Sequence, residues 1–274
     1  MVDTKVGALH VEQRGHGPAV LCWPSLFADA RTLDGVAEGL EGERRVIVID
    51  GPGHGKSGVP ASTFSLSDCA DAAIQVLDEL GVDRAVWVGA AWGGHVGVAA
   101  ALRHPERLEH LVILNAPMAP WRGRRLVLMR LTQALLAVFG PRSFVARTIA
   151  SKSIAPSAGP DREAIVTAVT EALRRCDRRG VSLAMQSVMF GREDLVPRLG
   201  EVRVPTTFFA GTEDGLFPLE EARAQAAAIP GCDFVAVERS SHQSATERAD
   251  VVVPLLLRIE SRRPAPGDSP HVQP

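Results

Sequence analysis

Six short runs of apolar and β-branched residues recur along the chain: AVLCW (19–23), RVIVID (45–50), AVWVG (85–89), LVILN (111–115), TTFFAG (206–211) and FVAVE (234–238). Longer amphipathic stretches separate them, and this alternation predicts a mostly parallel sheet flanked by helices on both faces, an α/β fold. The segment VGALHVEQ, residues 6–13, predicts a further strand. The turn residues Gly15, His16, Gly17 and Pro18 would bring the chain straight back, making it an antiparallel edge.

The alternation lapses once. From about 117 to 203 the chain reads as helices, MAPWRGRRLVLMRLTQALLAVFG and DREAIVTAVTEALRRC, with no strand between them. The organisation expected is a core in two parts, 1–116 and 204–260, with a helical cap at 117–203 inserted after the strand LVILN. Arg122, Arg124, Arg125 and Arg130 give the first cap helix a basic side, which is the ordinary pattern of a solvated face. The last residues, 261–274, are rich in proline and polar side chains and predict a disordered tail.

Composition narrows the class. At 274 residues, 46% hydrophobic and 23% charged, the chain can bury a large core. No apolar stretch reaches the roughly eighteen residues of a membrane span. The opening residues lack the basic and apolar regions of a signal peptide, so a cytoplasmic location is expected. Thirty basic against thirty-two acidic residues leave a net charge of −2, which argues against nucleic acid or an anionic membrane as partner and for a small molecule. Cys22, Cys69, Cys176 and Cys232 lack metal-site or disulfide-framework spacing, and neither metal nor cofactor is expected.

The segment carrying chemistry is Gly89-Ala90-Ala91-Trp92-Gly93-Gly94, where a buried strand turns directly into a helix. Asp50-Gly51-Pro52-Gly53-His54-Gly55-Lys56-Ser57 follows another strand; its ending mimics a phosphate loop, but that motif needs glycine where Asp50 stands. Asp214 follows the strand TTFFAG, with Glu213 the weaker acidic candidate, and His242 follows FVAVE.

Taken together, these pieces resemble the α/β-hydrolase family over roughly residues 6–260. The family's nucleophile elbow is G-x-S-x-G, and the order nucleophile, acid, histidine is the family's own. The resemblance implies that position 91 is the nucleophile position, here occupied by Ala91 instead of serine, that Asp214 and His242 complete a triad, and that the Trp92 amide forms half an oxyanion hole. The other half would come from Ser25 or Leu26, after a proline that cannot donate. His54 reads as shaping its glycine loop, while Met118 and Trp121 read equally as cap core or pocket wall.

A methyl group cannot attack a carbonyl. Three explanations follow: a serine-bearing parent disabled at position 91, chemistry without a covalent intermediate in which His242 is the base, or a noncatalytic ligand-binding receptor. The retained aspartate, histidine and glycines favour the first, since a strained elbow has little purpose without a nucleophile. The implied substrate is a hydrophobic carboxylic ester or lactone, because the cap carries Met118, Trp121, Leu126, Leu128, Met129, Phe139, Met185, Met189 and Phe190.

Overall fold

The computed structural model describes residues 1–142 and 144–261. A short antiparallel ribbon, β1 (Val2–Thr4) with β2 (Gly7–Leu9), precedes the main sheet. The sheet has seven strands in the order β3-β5-β4-β6-β7-β8-β9: β3 (Val11–Arg14), β4 (Ala19–Trp23), β5 (Arg45–Ile49), β6 (Ala85–Ala90), β7 (Leu108–Leu114), β8 (Thr206–Gly211) and β9 (Asp233–Val237). All neighbours are parallel except β3 on β5.

β3 is the antiparallel edge expected, but not by the route expected. It pairs with β5, Val11 opposite Ile49, and not with β4, the strand that follows the turn. The turn instead packs on the segment after the first helix: a Cβ on Gly15 would lie 2.3 Å from the Glu41 and Arg44 carbonyl oxygens. The chain therefore crosses over before it re-enters the sheet.

Side chains alternate between two cores, as a pleated sheet covered on both faces requires. Leu21, Ile47, Trp87 and Ile113 pack with α2 (Leu66–Glu79), α3 (Trp92–Arg103) and α8 (Leu219–Ala227). Val20, Val46, Val88 and Leu114 pack with α1 (Asp34–Leu40) and α10 (Ala249–Ser261). α2 starts on a capping box in which Ser65 Oγ accepts the Asp68 N–H and the Asp68 carboxylate accepts the Ser65 N–H. Of the expected tail, Ser261 ends α10 and 262–274 lie outside the described residues.

Between β7 and β8 the described residues are helical or irregular: α4 (Gly123–Phe139), α5 (Phe144–Ser153), α6 (Arg162–Arg175) and α7 (Arg178–Ala184), which runs on as π-helix over Met185–Phe190. α4 begins five residues later than the start of its apolar stretch, after the Pro117-Met118-Ala119-Pro120 loop. Two contacts, through Arg175 and Gly53, seat this insertion on loops of the sheet, and a third, through Arg192, ties its two ends together. Arg175 makes two hydrogen bonds with buried Asp29 (2.6 and 3.1 Å). Arg192 donates to the carbonyls of Pro117, Met118 and Ala119 (2.8, 2.7 and 2.6 Å). Gly53, at φ +75°, lies so close to Gly180 of α7 that a Cβ would come within 2.5 Å of its Cα.

Candidate active site

Every candidate residue lies beyond the C-terminal end of a parallel strand, the edge where α/β sheets collect their ligands. Ala91 joins β6 to α3 with φ 44° and ψ −100°, a conformation that costs an L-residue about 1–3 kcal/mol. Its N–H donates to the Leu114 carbonyl (2.7 Å), and its carbonyl accepts the Gly94 and His95 N–H groups (3.0 and 3.1 Å). The surrounding glycines are required. A Cβ on Gly89 would sit 2.2 Å from the Gly93 carbonyl carbon, one on Gly93 2.0 Å from the Trp23 carbonyl oxygen, and one on Gly94 2.6 Å from the Ala116 Cβ.

Asp214 and His242 meet as their order in the chain implies. His242 Nδ1 and Asp214 Oδ2 are 2.8 Å apart, and since the carboxylate can only accept, Nδ1 carries the proton and Nε2 is left for the cavity. Asp214 is buried, and its other oxygen accepts the Leu216 and Phe217 N–H groups (2.9 and 3.1 Å). Burial works against the charge on both groups. On Asp214 the His242 charge and these hydrogen bonds outweigh it and hold the carboxyl below its ordinary range. On His242 the nearby carboxylates outweigh it and raise the imidazole above its ordinary value. Glu213 lies outside this pair and accepts from Ser157.

One residue at the centre of the site escaped the sequence reading. Asn115, at the end of β7 with φ 51°, is fully buried; its amide donates to Asp214 Oδ2 (3.2 Å) and to the Ser241 carbonyl (2.9 Å), and its carbonyl accepts from the Ser244 hydroxyl. It therefore ties the acid to the loop bearing His242. Its only sequence signal is an asparagine, tolerant of left-handed backbone, directly after a buried strand.

Ser25, Leu26 and Trp92 line one cavity of about 310 Å³ together with Ala91 and His242. Phe27, at φ 71°, gives its N–H to His54 Nε2 (3.3 Å), while His54 Nδ1 lies 3.0 Å from the Pro52 carbonyl. His54 thus joins the glycine loop to the loop of Ser25 and Leu26. Burial lowers its pKa, in keeping with an Nε2 that accepts the Phe27 N–H.

The rest of the wall is largely apolar: Trp121, Leu128, Met129, Leu135, Val188 and Met189 contribute from the insertion. Met118 does not. It is fully buried in the main core, held by its backbone to Gln225 and Arg192, so it is packing and not pocket wall. Leu126, Phe139, Met185 and Phe190 also lie off the cavity. Among the described residues no three His, Cys, Asp or Glu side chains group as metal ligands, and no helix is long and apolar enough to cross a membrane.

The imidazole fixed by a buried carboxylate thus faces the same cavity as the strained elbow residue Ala91 and the loop of Ser25 and Leu26. Comparisons with known proteins agree with the architecture. The chain is 29% identical to the 2-hydroxy-6-oxononadienedioate/2-hydroxy-6-oxononatrienedioate hydrolase of Paraburkholderia phymatum, over 89% of this chain and 83% of that one. It is also 29% identical to the pimeloyl-[acyl-carrier protein] methyl ester esterase of Vibrio atlanticus, over 90% and 96% respectively. A thermophilic esterase from Thermogutta terrifontis superposes with a TM-score of 0.87 at 23% identity, covering 95% of this chain and 97% of the other. Residues 18–178, more than half of the chain, match the alpha/beta hydrolase fold, and the protein belongs to that family.

Proposed function

We propose that this site is built to hydrolyse a hydrophobic carboxylic ester or lactone by a serine, histidine and aspartate mechanism, and that Ala91 leaves it without its attacking atom. The observation that carries the reading is the strained backbone at Ala91, kept beside an aligned His242–Asp214 pair and a common apolar cavity. Strain at a functional position is retained where it aims a side chain, and a methyl group has nothing to aim. The esterase name of the Vibrio atlanticus relative supports the ester class.

The mechanism follows from the groups present. With serine at position 91, Nε2 of His242 takes the hydroxyl proton as oxygen attacks the carbonyl carbon, and Asp214 stabilises the imidazolium formed. The oxyanion is received by the Trp92 amide and an amide of the Ser25–Leu26 segment. His242 then returns the proton to the leaving alcohol, and a water activated by the same nitrogen releases the acid. The helices of 117–203 act as the cap that supplies the apolar wall.

Ala91→Ser is expected to hydrolyse activated esters or lactones with kcat on the order of a million-fold above the chain as given, and adding His242→Ala is expected to abolish this. A folded Ala91→Ser protein inactive across a broad ester and lactone panel would overturn the reading. Equal turnover by the chain as given would instead mean that His242 acts as base on a substrate needing no covalent step.

A further inference from the structure

His242 lies on a loop between β9 and α9 (Ser244–Glu247), and its ring is only as well placed as that loop. Glu247 ends α9 and is buried, at 9% exposure, with no cation paired to it among the described residues. A buried carboxylate without a cation is costly unless hydrogen bonds replace its water. Three backbone N–H groups do so. Oε1 accepts from Ser241 (3.0 Å) and Gln243 (3.2 Å), the amides on either side of His242. Oε2 accepts from Ala155 (2.7 Å), just past α5 in the helical insertion. A second bond crosses the same seam in the other direction, from the His242 N–H to the Ser153 carbonyl (3.1 Å).

A helix cap explains only part of this. Capping α9 accounts for the bond to Gln243, but not for Ser241, which precedes the histidine, nor for Ala155, about ninety residues earlier. We propose that Glu247 is a positioning residue that fastens the seat of His242 to the helical insertion, so that the docking of the insertion and the alignment of the histidine on Asp214 are set together. Its catalytic meaning rests on the function proposed above; the physical coupling does not.

Two variants separate the coupling from a merely local role. Glu247→Gln keeps the shape but must turn an NH2 group toward one of the amides it now accepts from. Ala155→Pro removes the bond from the insertion and adds ring atoms at a fully buried position, while leaving the Glu247 charge and α9 in place; position 155 precedes Pro156 and is already biased to the extended backbone that proline adopts. The readouts need no turnover: the low-field NMR proton of His242 Nδ1, and amide exchange at His242 and Ala155 in the chain as given.

Both variants are expected to shift the Nδ1 proton and to speed exchange of the His242 amide on the order of tenfold, the effect of one lost hydrogen bond. In the Ala91→Ser background both are expected to lower kcat with little change in KM. A folded Ala155→Pro protein whose Nδ1 proton and His242 exchange are unchanged would overturn the coupling, whatever Glu247→Gln does. Shifted Nδ1 protons with an inactive Ala91→Ser protein would uphold the coupling and defeat only the hydrolase reading.

Discussion

At Ala91 the side chain and the backbone disagree. The backbone is held at φ 44° by hydrogen bonds on both sides and by glycines that admit no Cβ, while the side chain has no reactive atom. The expense lies in the surroundings, so it is the surroundings that mutation should expose. Gly93→Ala forces a Cβ to within 2.0 Å of the Trp23 carbonyl, and the urea midpoint is expected to fall by the equivalent of about 3 kcal/mol. Asn115→Ala takes one of its donors from Asp214, which keeps His242 Nδ1 and the Leu216 and Phe217 amides, and removes the side-chain donor to the Ser241 carbonyl. A stability loss of about 1–3 kcal/mol is expected from chemical denaturation. Ala91, Asp214 and His242 were legible in the sequence because each closes its own apolar run and their order is diagnostic. Asn115 was not, since an asparagine after a strand looks like any turn residue until its amide is seen between two partners. Met118 stayed open between core and pocket wall for a different reason: methionine suits both equally, and only packing separates them.

Elements were legible where their periodicity was strong. The strands β4 to β9 lie within a few residues of their apolar runs, and the match is clearest for β4 and β6, which are buried at every position and apolar throughout. Pairing was less legible. The turn at Gly15 and Gly17 announced a reversal, but its partner was fixed by packing against the segment after α1, a contact no local pattern encodes. The insertion shows the same limit. α4 is seventeen residues of mixed apolar and basic character, yet only Leu136 is buried, while Val127, Leu131, Val138 and Phe139 are exposed. The insertion is attached through other side chains, among them Leu173, Val181, Ala184 and Met185 in the main core, and through the ion pair of Arg175 with Asp29. Arg175→Ala leaves Asp29 buried without its cation, and a loss of about 3 kcal/mol is expected. Hydrogen exchange in α6 is expected to rise more than in β6, because the sheet does not depend on that ion pair.

Over the whole molecule, buried histidines set the response to acid. His54, His95 and His110 are all held below the ordinary value of 6.5, burial being the main cause, with His110 pushed down to about 4 and His95 opposed further by Arg192. Unfolding lets each take up a proton once the pH is below 6.5, so the unfolded chain binds more protons and stability falls as pH drops from about 6.5 towards 4. His242 has the opposite sign: its raised value adds stability below 6.5 that is lost as pH rises through the native value. Buried Glu247, also raised by its burial, acts in the same sense as His242; the three lowered histidines outnumber these two, so Tm is expected to be lower at pH 5 than at pH 7.5, and His110→Gln to reduce the difference.

The central claim is that position 91 is an intact nucleophile site lacking only its oxygen. Fluorophosphonate labelling followed by peptide mass spectrometry addresses it most directly, because it needs no knowledge of the substrate. The account predicts one phosphonyl adduct on the peptide containing position 91 in Ala91→Ser, none in the chain as given, and none in Ala91→Ser with His242→Ala. A folded Ala91→Ser protein that stays unlabelled, or an adduct independent of His242, would contradict it.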